Sequence, residues 1–347
     1  MAETRRIRWG VLGTARIARR AVAPAIVRSS NGTLLALGSR HADRAAELAA
    51  DLRDDLGAEG AFGLADLRTS GSYEAVLADP DVDAVYVPLP NAQHLAWTLR
   101  ALEAGKHVLC EKPLAMTAAD CHTMQRAAAD RGLVLMEAFM YRFHPRWERL
   151  LERVRAGDLG PIRLIQASFT FTVTDPANIR LSLELGGGAL MDVGCYTVNV
   201  ARSLMAAEPS EARAQARWTI GGVDEQLFGT LRFERGAVAQ LACSLAAARS
   251  EDVLVVGEKG VARLRHAFVP TGAPVGLELH RPPEPPEVIG FEPADSYQRM
   301  VEHFAACVLR SESPRYDARE AAANLAAIEA LYASARSGGD TVEVGGA

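Results

Sequence analysis

Up to about residue 140 the apolar residues gather in short runs, the first broken by Arg8 and Gly10; after that they alternate with polar ones. Residues 7–12, 33–38, 82–87, 107–110 and 133–136 are the short runs, and helical spacing marks 43–56, 92–104 and 117–131 between them. Bare apolar runs of this length suit strands covered on both faces. Their alternation with helices predicts right-handed crossovers and a doubly wound parallel sheet. Thr117 and Asp120 stand where a capping box would open the third helix. Beyond Glu137 the period changes. An amphipathic helix is expected over 145–156, a break at Gly160-Pro161, and a long alternating strand over 162–173. Further strand patterns over 214–220, 225–233, 237–245, 253–256 and 260–264 are separated by short turns such as Glu234-Arg235-Gly236, which predicts an antiparallel meander. Helices at 296–309 and 318–335 close the chain. The expectation is an α/β fold of two domains. Residues 1–140 form the parallel, dinucleotide-binding sheet, and 141–347 an α+β domain with a large, mostly antiparallel open sheet.

Composition narrows the function more than the fold. At 347 residues the chain exceeds one ordinary core, which agrees with two domains. A formal net charge of -5 argues against nucleic-acid or anionic-membrane partners, which are met by a basic excess. The five cysteines are scattered without a Cys-x-x-Cys pair and read as buried thiols of a reducing compartment. With a polar, basic start and no long apolar stretch, neither a signal peptide nor a membrane span is expected, and the cytoplasm is the expected location. No His, Cys and carboxylate cluster has metal-ligand spacing, so no metal is expected. The open sheet leaves a face to be covered, and a second copy packing there would make a homodimer or homotetramer.

Candidate chemistry falls at the strand ends. The first strand runs into Gly13-Thr14-Ala15-Arg16-Ile17, a strand, turn and helix that can aim backbone N–H groups at a pyrophosphate. Ala15 and Ala18 stand where the usual fingerprint has glycine, and a plain βα turn is the competing reading. Ser39 and Arg40 end the second strand, where NAD binders place an acid for the ribose 2′-hydroxyl; their chemistry favours NADP(H) over NAD(H), although a strand-end arginine is also common as a solvated charge. Pro88, Leu89 and Asn91 follow the third run, and Glu111-Lys112-Pro113 the fourth, so all lie on one rim of the sheet. Only three lysines occur among 38 basic residues, and a lysine at a strand end can join proton traffic as arginine cannot; a solvated loop residue is the bland alternative. Further on, Gly186-Gly187-Gly188 opens a helix on which Asp192 and Tyr196, four apart, share a face. That stretch also reads as a glycine-eased helix start with Tyr196 in the core.

Taken together, Gly10 to Ala18, Pro88 to His94, Glu111-Lys112-Pro113 and Gly186 to Tyr196 resemble the glucose-fructose oxidoreductase, inositol dehydrogenase and rhizopine catabolism (Gfo/Idh/MocA) family over almost the whole chain. Tyrosine at 196, where inositol dehydrogenases carry histidine, is similar to the branch holding dimeric dihydrodiol dehydrogenase and NADP-linked xylose dehydrogenases. The runs 137–145 and Asn178-Ile179-Arg180 are similar to that branch as well. The resemblance implies a Rossmann domain and an NADP-linked dehydrogenase or reductase acting on a sugar or cyclic diol. It also implies that His94 approaches the nicotinamide or its ribose, although the residue would equally serve as a helix cap. Arg142 joins the expected cofactor contacts, and with His144 is a candidate for the substrate pocket or for a solvated strand end. Tyr141, Phe139, Phe169 and Phe171 are expected to pack.

Hydride transfer at an alcohol carbon needs a group that handles the hydroxyl proton. A phenol of ordinary pKa near 10 is a poor base at neutral pH, and a cation within about 4–6 Å lowers such a pKa by roughly 1–3 units. The expected catalytic set is therefore Tyr196 as acid or base, Lys112 as the cation, and Asp192 orienting the substrate or Lys112. The competing function is a catalytically silent dinucleotide-binding regulator or scaffold, which would have no need of a proton-transfer pair.

Overall fold

A computed structural model describes residues 5–269 and 275–345, so the first four residues of the polar, basic start lie outside it. The chain groups into two compact units, Met1–Met140 with Asp295–Ala321, and Tyr141–Ala294 with Ala322–Ala347.

In the first unit, strands β1 (Ile7–Leu12), β2 (Gly32–Gly38), β3 (Arg68–Ser70), β4 (Ala84–Val87), β5 (His107–Cys110) and β6 (Leu135–Glu137) form one sheet. Their order is β3-β2-β1-β4-β5-β6, every pair parallel. This is the doubly wound arrangement the apolar runs predicted, and its order reverses between β1 and β4, where such sheets take ligands beyond the strand ends. The runs are bare because helices cover both faces: Val11, Leu12, Val85, Tyr86, Val87 and Leu109 are all fully buried. Thr117 caps the helix Ala118–Ala129, its hydroxyl accepting the Asp120 N–H at 3.1 Å. The helix expected over 43–56 continues as Ala42–Gly63, with a break at Gly57, whose φ of 54° no interior helical residue adopts.

The assignment of everything after 141 to the second domain needs correction. The helix Ser296–Arg310 packs on the first sheet, with the Phe304 ring tilted against Trp9 at 4.9 Å between centroids. Asp295 caps that helix by accepting Tyr297 and Gln298 N–H and pairs with Arg28 at 2.9 Å. A fully buried Trp9 needs an apolar cover, and the chain returns nearly 300 residues later to supply it.

The second unit is built on nine strands: β7 (Ile162–Thr172), β8 (Glu211–Trp218), β9 (Asp224–Arg232), β10 (Val238–Ser244), β11 (Ala246–Gly257), β12 (Val261–Leu264), β13 (Val275–His280), β14 (Glu287–Phe291) and β15 (Val342–Glu343). Their order is β14-β13-β12-β11-β7-β10-β9-β8-β15, antiparallel except for the parallel pair β7 and β10. One face is covered; Ile165, Ala167 and Phe169 of β7 point into it. The other carries Gln166, Gln240, Arg213 and Phe228, the last 53% exposed. No helix among the described residues is long and apolar enough to cross a membrane. The five cysteines are buried and form no disulfide.

Candidate active site

Each unit carries one half of the expected chemistry. On the first, β1 ends at Gly13, whose φ of 118° turns the chain into the helical stretch 16–28. The first turn holds no acidic residue and no side-chain cap, so its N–H groups and the positive helix end remain available to a pyrophosphate. Thr14, Ala15 and Ile17 are part-exposed and Arg16 is exposed there, while Ala18 is fully buried; the alanine methyls are accommodated, and Gly13 alone needs the left-handed region. Ser39 is buried, its hydroxyl accepting the His41 N–H at 3.3 Å. Arg40 is exposed and reaches the Tyr73 hydroxyl, which lies beside Gly13. Tyr73 was not anticipated: its six-residue helix, capped by Ser72, is too short to show a period. No acid stands at the end of β2, so the residues present fit a 2′-phosphate better than a bare ribose hydroxyl.

The strand end of β5 is braced from two sides. Tyr86 donates to Glu111 Oε1 at 2.6 Å, and Leu114 N–H donates to Glu137 Oε1 at 2.7 Å. Burial and the neighbouring Glu111 push the Tyr86 phenol well up, so it stays a neutral donor. Glu111 therefore braces its own strand end in addition to any cofactor contact. Cys110 is buried with its thiol pushed well up and takes no part as a nucleophile.

His94 is corrected by its bonds. It is fully buried, with Nδ1 2.9 Å from the Pro113 carbonyl and Nε2 2.7 Å from the Leu89 carbonyl. Each ring nitrogen faces a backbone carbonyl at hydrogen-bond distance inside a fully buried site, which points the ring at the two loops and not at nicotinamide or ribose. Burial lowers its pKa, the two carbonyls raise it, and the charge of Lys112 lowers it again. The residue ties the loop after β4 to the loop after β5, and the two loops carry Pro88, Leu89, Asn91 and Lys112.

On the second unit, the helix after the glycine run begins as a π-helical segment, Leu190–Gly194, and continues as Cys195–Met205. The shared face expected of Asp192 and Tyr196 on one α-helix is altered by that wider turn. The Asp192 carboxylate takes the Arg180 Nε–H at 2.5 Å, and the Arg180 guanidinium lies 5.6 Å from the Phe171 ring centre. Asp192 is thus held by arginine. Arg180, noticed in the sequence only as part of a family-like run, sits on a short 3-10 turn, Ile179–Leu181, that no periodicity announces.

Tyr196 is 5% exposed and its ring is enclosed by Phe169, Phe268 and Tyr141, with centroids at 5.3, 5.2 and 5.8 Å. Tyr141 in turn donates to Asn199 Oδ1 at 2.6 Å, on the same helix. These aromatic residues pack, as expected, and what they pack is Tyr196. Arg142 and His144 are 5% and 2% exposed, which removes the solvated strand-end reading. His144 caps the helix Pro145–Arg155 by accepting the Arg146 N–H at 3.1 Å. No group of His, Cys, Asp and Glu among the described residues could hold a metal.

Two family models match: an oxidoreductase family with an NAD-binding Rossmann fold over residues 7–139, and the GFO/IDH/MocA C-terminal domain over 147–263. The chain is 40% identical over 335 residues to D-xylose 1-dehydrogenase (NADP(+)) 2 of Haloferax volcanii, covering 95% of this chain and 98% of that one. It superimposes on KijD10, a 3-ketoreductase from Actinomadura kijaniata solved with NADP and TDP-benzene, with a TM-score of 0.85 at 30% identity over 95% of this chain and 98% of that one. It superimposes on the aldose-aldose oxidoreductase of Caulobacter crescentus with a TM-score of 0.86 at 30% identity, covering 98% and 100%. Matched along both its halves and across nearly its full length, the chain belongs to the GFO/IDH/MocA family of oxidoreductases.

Proposed function

We propose that the protein is an NADP(H)-dependent oxidoreductase that transfers a hydride between nicotinamide and the CH–OH carbon of a sugar, an aldose or keto-sugar, or of a cyclic diol. The observation that carries this reading is the similarity to an NADP-linked xylose dehydrogenase over almost the entire chain. Arg40 at the end of β2, in place of an acid, supports NADP(H) over NAD(H).

The nicotinamide, when bound, accepts or donates the hydride. The remaining work belongs to side chains. The backbone N–H groups of 14–17, at the turn Gly13 makes, receive the pyrophosphate, and Arg40 with Ser39 meets the 2′-phosphate. Tyr196 exchanges the hydroxyl proton of the substrate, and Lys112 supplies the positive charge that makes a phenol effective near neutral pH. Asp192, held by Arg180, orients the substrate hydroxyls or Lys112. Arg142, buried in its short turn, joins the cofactor contacts. The aromatic enclosure keeps the Tyr196 ring in one orientation, which proton transfer over hydrogen-bond distances requires.

The test is a panel of aldoses, keto-sugars and cyclic diols followed at the reduced-nicotinamide absorbance, with NADP and NAD in parallel. Turnover on a member of the panel with NADP supports the reading. Tight NADPH binding with no turnover on any member replaces it with a silent regulator or scaffold.

The uncovered face of the nine-stranded sheet, with Phe228 exposed on it, fits a second copy of the chain, in a homodimer or homotetramer; a monomer mass by light scattering removes this. The buried thiols, in no disulfide, fit the reducing cytoplasm.

A further inference from the structure

Asp224 opens β9, yet its side chain serves the segment that carries Asp192 and Tyr196. Oδ2 accepts the Leu190 N–H at 2.7 Å, and Oδ1 accepts the Tyr332 hydroxyl at 2.7 Å. Leu190 is the first residue of the π-helical segment, and no side chain of that segment's own cap residue, Ala189, can satisfy it. Gly188 has φ +120°, and a Cβ there would collide with Asp224 Oδ1 and lie 2.9 Å from the Tyr332 hydroxyl. The last glycine of the run thus makes room for this carboxylate. Three parts of the chain, 188–190, 224 and 332, meet at a group that is 1% exposed.

We propose that Asp224 is a positioning residue for the reaction: by holding Leu190 it fixes the segment 190–205, and with it the placement of the Tyr196 hydroxyl and the Asp192 carboxylate. The proposal rests on Tyr196 being the proton carrier. A carboxylate can accept both bonds at once, whereas a carboxylic acid must turn one oxygen into a donor. Burial pushes the Asp224 pKa up to about 6, against the pull of Tyr332, Leu190 and the Arg336 charge. The Cys243 thiol also faces it and stays protonated, its own pKa raised by burial and by Asp224. Tyr332 is pushed well up and stays a neutral donor. The bracing by two accepting oxygens is therefore complete above that pH, and as pH falls through it one oxygen becomes a donor and the pair of bonds must rearrange.

The experiment is an NMR pH titration of the full chain labelled at tyrosine 13Cζ, with Tyr332 and Tyr196 assigned by their Tyr→Phe variants. The expected result is that both resonances move with one midpoint near 6, and that neither moves in Asp224→Asn. In the same variant, kcat with NADP and the panel member that the unaltered chain turns over fastest falls ~10-fold or more while KM for NADP changes little. A Tyr196 resonance that stays fixed while Tyr332 titrates overturns the proposal, because the carboxylate then serves only its own corner of the fold. Tyr332→Phe keeps the ring and removes one bond that holds the carboxyl down, so the midpoint seen at Tyr196 should move to higher pH; an unchanged midpoint also overturns it. This variant keeps the test alive where Asp224→Asn does not fold. The resonances need no turnover, so a Tyr196→Phe enzyme that still turns over would end the catalytic reading while leaving the helix bracing intact.

Discussion

Arg180 grips Asp192: its Nε–H meets Oδ2 at 2.5 Å, with the carboxylate side chain only 13% exposed and the arginine 38%. The pair fixes a charge at the mouth of the helix that bears Tyr196, and the guanidinium is itself backed by Phe171. If Asp192 orients substrate hydroxyls, Arg180→Met should release it and lower kcat/KM by ~10-fold, the order of one charge-assisted hydrogen bond discounted for partial exposure. Adding Asp192→Asn to that variant should cost little more, because the two act as a unit. Independent, additive losses in the double variant would show that the two residues serve different purposes.

Lys112→Met and Tyr196→Phe should each lower turnover by ~10²–10⁴-fold, the range of a lost acid or base. NADPH affinity, read by fluorescence titration, should stay within a few-fold of the unaltered chain, since neither residue is assigned to phosphate binding. A collapse of NADPH binding with residual kcat preserved would move Lys112 from the chemistry to the cofactor. The pH profile adds a second check: loss of the Lys112 charge should shift the limb that reports the phenol toward higher pH.

Arg40 stands exposed against Tyr73, where an acid would be needed to favour NAD. Arg40→Ala should raise KM for NADP by roughly 10-fold, the loss of a charge-assisted phosphate contact, and leave KM for NAD nearly unchanged. Equal effects on the two cofactors would place Arg40 in the packing of Tyr73 and not at the 2′-phosphate.

The parts of this molecule that could be read from the chain are those encoded locally. The bare apolar runs of β1, β2, β4 and β5, the Thr117 cap, and the strand-end position of Lys112 each show in a few consecutive residues. What stayed hidden depends on distant pairings. Trp9 gives no sign that Phe304 will cover it, so the helix Ser296–Arg310 could not be placed with the first sheet. Strands β13 and β14 alternate weakly at a sheet edge, with Val288 69% exposed, and β3 is three polar residues long. In the site, Tyr196 was legible as a tyrosine after a glycine run, but the π-helical turn before it and the grip of Arg180 and Asp224 were not, because each is a contact across 12 or 34 residues.

His94 offers a sharper test, because its environment pulls in two directions. Both ring nitrogens face backbone carbonyls, which favours an imidazolium, while complete burial and the charge of Lys112 favour the neutral ring; burial prevails and the pKa is lowered. A histidine whose folded pKa lies below its unfolded value near 6.5 stabilises the fold fully above that value, and the contribution is lost as pH falls from there toward the folded pKa, since the unfolded chain binds the proton more readily. Thermal stability should therefore fall as pH is lowered from about 7.5 to 5.5, with ~1 kcal/mol corresponding to roughly 2–4 °C in a domain of this size. His94→Gln cannot titrate and should show a shallower fall over the same interval. It should also unfold at lower temperature at pH 7.5, because a buried carbonyl without its partner costs about 1–3 kcal/mol. NADPH binding should weaken with it, because the loops of Leu89 and Pro113 are no longer tied. If the variant falls as steeply with acid as the unaltered chain, or more steeply, the ring carries its proton in the fold and donates to both carbonyls. His94 would then be a buried cation beside Lys112, and the local charge at the end of β5 would be two rather than one.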